Sequence, residues 1–151
     1  MKVTAYKSLV RPILEYATCA WDPYKVGQIK KLEGVQRKAA RFCLGNYNRE
    51  SSVTEMLTEL QLEKLAKRRE QNRLSMMYKI QENIVDIKKD EHIKITASRK
   101  TRSSHAKNIE IPFALTEAYK NSYFPRTSRD WNLLEKSKVA APSLESFKRA
   151  L

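Results

Sequence analysis

The sequence predicts a mainly α-helical fold, with a short β-hairpin in its second half and two or three small helices at its carboxyl end. Three observations carry this. Three glycines and five prolines leave little room for tight β-turns. Apolar residues recur at helical spacing through most of the first 84 positions. After Asp86 the period changes, and "HIKIT" (92–96) and "NIEIP" (108–112) alternate with period two. A chain of 151 residues suits one domain or two small subdomains. We divide it into a helical subdomain, 1–86, and a terminal subdomain, 87–151, with a basic loop, short strands and closing helices.

The first element, residues 3–20, places Tyr6, Leu9, Val10, Ile13, Tyr16, Ala17 and Ala20 at helical spacing. Pro12 either kinks this helix or starts its second half, because proline lacks a backbone donor. "WDPY" (21–24) is a turn, since Asp22 before Pro23 disfavours helix. A second helix follows over 25–44, with Ile29, Leu32, Val35, Ala39, Phe42 and Cys43 on one face. Gly45 and Asn46 stop it.

"SVTE" (52–55) has the capping-box form and opens a short helix to about Glu59. The longest helical pattern, 62–84, carries a stripe of Leu62, Leu65, Ala66, Met76, Met77, Ile80 and Ile84. Arg69 and Arg73 interrupt that stripe, so they need acceptors such as Glu15 or Glu33, or must reach the edge. The two alternating stretches predict a long-looped hairpin around "ASRKTRSSHAK" (97–107). Residues 114–123 are expected to be helical, with Phe124-Pro125 as the break. Thr127 or Ser128 can cap the next helix, to about Glu135. Ser143 caps the last one, whose Leu144, Phe147 and Leu151 face inward.

Charge is the strongest compositional signal. Thirty Lys and Arg against seventeen Asp and Glu give +13. The excess sits at the ends. Residues 1–50 hold ten basic and four acidic side chains, and residues 91–151 hold twelve and six. The middle, 51–90, is nearly balanced at eight and seven. Such a field favours polyanionic partners, nucleic acid before any membrane surface. The basic face of helix 25–44, Lys30, Arg37, Lys38 and Arg41, is either a phosphate-contacting surface or a solvated one. In the loop, Arg99, Lys100, Arg102 and Lys107 stand among serines and threonines, a mix suited to phosphate, the alternative being a disordered basic loop with no dedicated role. Near the carboxyl end Arg126 and Arg129 lie three apart near the start of a helix, either a phosphate-contacting pair or, with Arg129 paired to a carboxylate such as Glu117 and Arg126 solvated, a surface feature; Tyr123, Phe124 and Trp131 beside them read as core.

Recognisable catalytic and metal chemistry is missing. Three glycines cannot build a Gly-rich phosphate loop, and neither GxSxG nor HExxH occurs. The four aspartates, Asp22, Asp86, Asp90 and Asp130, are scattered rather than paired for catalytic magnesium. Cys19 and Cys43 lack CxxC spacing and read as buried thiols of a reducing compartment. We therefore expect no cofactor, no metal site and no complete enzyme. Lys7, Arg11 and Pro12 interrupt the first apolar run, so no signal peptide is read. No stretch approaches the ~20 apolar residues of a membrane span. A soluble, intracellular protein of nucleus or cytoplasm is expected. A membrane-surface role is disfavoured, because helix 25–44 lacks the Trp/Phe/Leu-rich side such helices need.

Three stretches, "YKSLVRPILEYATCAWDPY", "KKLEGVQRKAARF" and "YKNSYFPRTSRDWNLL", with "SSVTEMLTEL", "KRREQNRLSMMYKI", "SRKTRSSH" and "SLESFKRAL" between and after them, resemble the carboxyl-terminal region of reverse transcriptases from jockey-like non-LTR retrotransposons. The matching elements follow one another in the family's order over residues 6–151. The resemblance implies that the first helices form a thumb-like bundle gripping primer–template duplex. The later part would help to hold element RNA or target DNA. The partners it implies are RNA, DNA or an RNA–DNA hybrid, and the palm and fingers domains if these share the chain. The polymerase carboxylates of the family lie upstream of everything present here, so the chain on its own is expected to be non-catalytic. Two departures stand out: Ser103 replaces the glycine that often follows the "RTR" motif, and Glu135 replaces the proline that follows "WN.L". The alternative reading is a structural remnant of a truncated element that needs its missing palm domain to fold fully.

Overall fold

A computed structural model describes residues 1–96 and 105–151. The described residues are mainly helical and form two compact units. One comprises Met1–Thr18 with Pro23–Arg69, the other Cys19–Asp22 with Glu70–Leu151.

The first unit opens with a helix in three pieces: α1 (Lys2–Ala5), a π-helical stretch (Tyr6–Val10) and α2 (Arg11–Glu15). Pro12 explains the subdivision. It has no N–H for the carbonyl of Ser8, so the preceding turn widens and Arg11 N–H bonds Tyr6 O instead. Pro12 then sits in the first turn of α2, where a missing donor costs nothing. Helix α3 (Val26–Leu44) ends at Gly45, whose φ of +66° closes a Schellman turn, with Asn46 N bonded to Arg41 O at 3.1 Å. Ser52 caps α4 (Val53–Glu59) by accepting from Glu55 N, as its sequence predicts.

The core of this unit is not the one its pattern suggests. Val35 and Phe42 are exposed, whereas Gln36 and Ala40 are fully buried on α3. The reason is a polar bridge. Buried Tyr6 donates its hydroxyl to Gln36 Oε1 at 3.0 Å, and Gln36 Nε2 donates to Glu63 O at 2.8 Å. Both polar atoms of the amide are thereby satisfied, which makes its burial affordable. Burial pushes the Tyr6 hydroxyl up to about 12. Of the first helix, only Tyr6 is buried, while Leu9 and Ile13 stay 69% and 70% exposed; the helix ends at Glu15, short of the expected residue 20, and Tyr16 follows it in extended backbone.

Helix α5 (Leu65–Gln81) contributes Leu65–Arg69 to the first unit and Glu70–Gln81 to the second. It closes at Asn83 in the left-handed region (φ +54°), with Ile84 N on Lys79 O. Leu65, Met77 and Ile80 of the expected stripe are buried, but Ile84 is exposed, and Leu74 and Tyr78 join the core instead.

In the second unit, Leu74, Met77, Tyr78 and Ile80 pack with Ile93, Ile109, Trp131, Val139 and Phe147. Short helices surround them: α6 (Lys89–His92), α7 (Glu117–Lys120), α8 (Tyr123–Asn132), α9 (Lys136–Val139) and α10 (Leu144–Ala150). Tyr78 stacks on Phe147 with centroids 4.7 Å apart. Trp131 is fully buried, and its indole N–H donates to Lys107 O at 2.9 Å. Ser143 caps α10 through a capping box with Ser146.

Three expected elements differ in the structure. No hairpin strands form among the described residues. Only one antiparallel bridge remains, Ile95 opposite Ile109, flanked by Thr96 N on Asn108 O and Glu110 N on Lys94 O. One further rung would pair residue 112 with residue 92. Pro112 has no N–H, and His92 already belongs to α6. On the other side of Ile109, the Asn132 side chain takes both backbone groups, accepting from Ile109 N (2.9 Å) and donating to Ile109 O (2.7 Å). Phe124-Pro125, in turn, does not break a helix. Pro125 lies in the first turn of α8, where proline fits, so Thr127 and Ser128 are buried inside the helix rather than capping it. The helix expected over 114–123 shrinks to α7, capped by Thr116.

Truncating a buried tryptophan costs about 3–5 kcal/mol. Trp131→Ala is therefore expected to unfold the second unit, with loss of cooperative thermal melting by circular dichroism. A cooperative melt within a few degrees of the parent would contradict this core assignment.

Candidate nucleic-acid interface

Helix α3 presents its surface in three sectors. At 100° per residue, Gln36 and Ala40 define the buried arc, Val35, Ala39 and Phe42 an apolar arc on one side of it, and Lys30, Arg37 and Arg41 a basic arc on the other. Lys31 and Lys38 lie between the last two. Lys30, Arg37 and Lys38 are exposed, and no carboxylate of the described residues pairs with them. Arg41 is half-buried and donates to Asn48 O at 2.7 Å, which orders the turn after the helix. The structure thus brings Lys30, Arg37 and Arg41 onto one stripe, with Lys38 at its margin.

Other cations of this unit are engaged. Glu15 receives Arg68, at 3.0 Å through Nη2 and by a second bond from Nε. That bond raises the arginine's proton affinity. Buried Arg69 donates to Leu14 O, and Glu33 accepts from Ala66 N at 2.9 Å. The carboxylates expected from sequence to serve Arg69 and Arg73 therefore serve Arg68 and the start of α5.

In the second unit the expected pair separates in role. Buried Arg73 is held by Asp22 through Nη1 and by Asp130 at 2.7 Å through Nη2. Arg126 Nη1 joins them, 3.1 Å from Asp22 Oδ2 and 3.2 Å from Asp22 O. Arg73, Arg126, Asp22 and Asp130 thus share one ion cluster. Burial, and then the neighbouring Arg73, lowers the proton affinity of Arg126. Tyr123, whose hydroxyl donates to Arg73 O at 3.2 Å, buttresses the group, and burial drives its own pKa upward. Arg129 donates to Lys120 O at 2.8 Å and ties α8 to the end of α7. Lys107 pairs with Glu82. Arg99, Lys100 and Arg102 lie outside the described residues.

Sequence reading misses this cluster. Asp22 reads as a turn residue and Asp130 as one of four scattered aspartates, yet the fold sets both against Arg73. A usable signal is present, since a buried arginine on a core stripe demands more than one acceptor. Cys19 and Cys43 are half-buried free thiols, with burial raising Cys19. Among the described residues there is no cluster of potential metal ligands, and no helix is long and apolar enough to cross a membrane.

Breaking a buried ion pair from one side costs about 3–5 kcal/mol, because the other charge is left unpaired. Asp22→Ala and Arg126→Ala are expected to lower the urea midpoint of the second unit, followed by fluorescence of Trp21 and Trp131, both of which belong to it. Lys30→Ala should leave that midpoint unmoved. Equal midpoints for all three variants would refute a structural role for Arg126.

A scan against family models, a search of curated proteins and a search of solved structures each returned no match for the chain.

Proposed function

We propose that the chain is a non-catalytic nucleic-acid-binding module, equivalent to the thumb and terminal region of a non-LTR retrotransposon reverse transcriptase. It would grip primer–template duplex or element RNA through phosphates without reading sequence. One observation carries the reading: a 19-residue helix holds Lys30, Arg37 and Lys38 exposed without carboxylate partners among the described residues. A chain of net charge +13 supplies the long-range field. The order of motifs along residues 6–151 supports the family reading. Arg126 and Arg129 contribute less than their sequence promises, since both are committed to partners within their own unit. The burden falls on α3 and on Arg99, Lys100 and Arg102.

A second reading is favoured by the exposure of Leu9 (69%) and Ile13 (70%) on the first helix and of Tyr16 (76%) just after it. The chain would then be a structural remnant that folds fully only when a palm domain covers that face.

Replacing Arg37, Lys38 and Arg41 by alanine should weaken binding to duplex DNA and RNA–DNA hybrid alike, whatever their sequence. The slope of log affinity against log salt should flatten by about 0.9 for each phosphate no longer neutralised. An unchanged affinity and slope would remove α3 from the interface. For the second reading, hydrogen exchange and size exclusion on the isolated chain are decisive. A monodisperse chain with a protected first helix rejects it, whereas fast exchange over residues 2–15 upholds it.

A further inference from the structure

Between the first helix and α3 lies an open groove of about 370 Å³. Its walls are Tyr6, Leu9, Val10, Val35, Ala39 and Phe42, and its rims are Lys2 and Lys38. Leu9 and Phe42 are 69% and 54% exposed. The wall from α1 into the π-helical stretch is where Pro12 forces the backbone wide, and such π turns are frequent at binding sites. Lys2 leans over the groove's end. Its ammonium lies 5.0 Å from the Phe42 ring centroid and donates to Phe42 O at 3.3 Å. No acidic residue lines the groove.

We propose that this groove docks an amphipathic helix of a partner protein, with apolar anchors on one face and carboxylates flanking them. The apolar lining selects side chains such as Leu or Phe and offers phosphates no donor besides the two rim lysines, so nucleic acid is a poor occupant of the groove floor. The lysine rims select the flanking charge. A second copy of the chain would bring the same basic rims against its own, in a molecule already at +13. The wall from Lys2 to Val10 rises about 12 Å, the length of about two helical turns, which accommodates anchors at i, i+3 and i+7. The proposal goes beyond nucleic-acid binding, and Lys38 is the one residue that the two surfaces share.

The test uses the full chain and a fluorescein-labelled, helix-stapled peptide of about 14 residues. The peptide carries leucines at i, i+3, i+4 and i+7 with glutamates flanking, and a control has lysines in place of the glutamates. Anisotropy is expected to show saturable binding of the acidic peptide, weakened about tenfold or more by Leu9→Asn or Phe42→Ser. Circular dichroism checks that these exposed-site variants remain folded. Lys2→Glu combined with Lys38→Glu should reverse the preference toward the lysine peptide. Four results would overturn the proposal. The acidic peptide could bind Phe42→Ser as tightly as the parent, which is mere attraction to a cationic surface. It could fail to bind at all. Leu9→Asn and Phe42→Ser could instead weaken duplex binding about tenfold, which would give the groove to nucleic acid. Or the parent could self-associate through the groove, with both variants monomeric.

Discussion

Arg73 is the constraint around which the second unit is arranged. A guanidinium that is 3% exposed must be neutralised within the protein, and its two aspartates come from positions 51 and 57 residues away. Asp22 arrives from the segment before α3, which is why Cys19–Asp22 groups with the carboxyl-terminal half rather than with its sequence neighbours. Asp130 arrives on α8, one residue before Trp131, so the ion cluster and the apolar core are positioned by the same helix. Arg126, one turn earlier, reaches the same Asp22. The polar and apolar centres of this unit are consequently coupled.

The first unit solves a similar problem with neutral groups. Gln36 satisfies a buried tyrosine and a backbone carbonyl at once, and α3 turns accordingly. That rotation leaves Val35 and Phe42 outward. The exposed apolar arc is thus a consequence of how the core is satisfied, and it lies beside the exposed cations of the same helix.

Local signals are the most legible part of the sequence. Ser52, Ser143 and Gly45 act through residues within a few positions, and each ends or begins a helix as read. The basic stripe of α3 is equally legible, because helical pitch alone sets it. What escapes depends on distant partners. A buried glutamine cannot be inferred from periodicity, which counts it as polar and points it outward. Arg126 looks free in the sequence because its acceptor lies 104 residues away. Pro125 misleads for another reason: proline both ends and begins helices, and only the burial of Thr127 and Ser128 shows that neither is a cap.

The side chain of Asn132 does for Ile109 what a neighbouring strand would do. Its amide offers one donor and one acceptor in the spacing of a peptide group, so the outward edge of the bridge is saturated by a helix. A strand edge left open is a template on which other chains can pair. By occupying both backbone groups of Ile109, this asparagine removes there the free edge on which another copy could begin to pair.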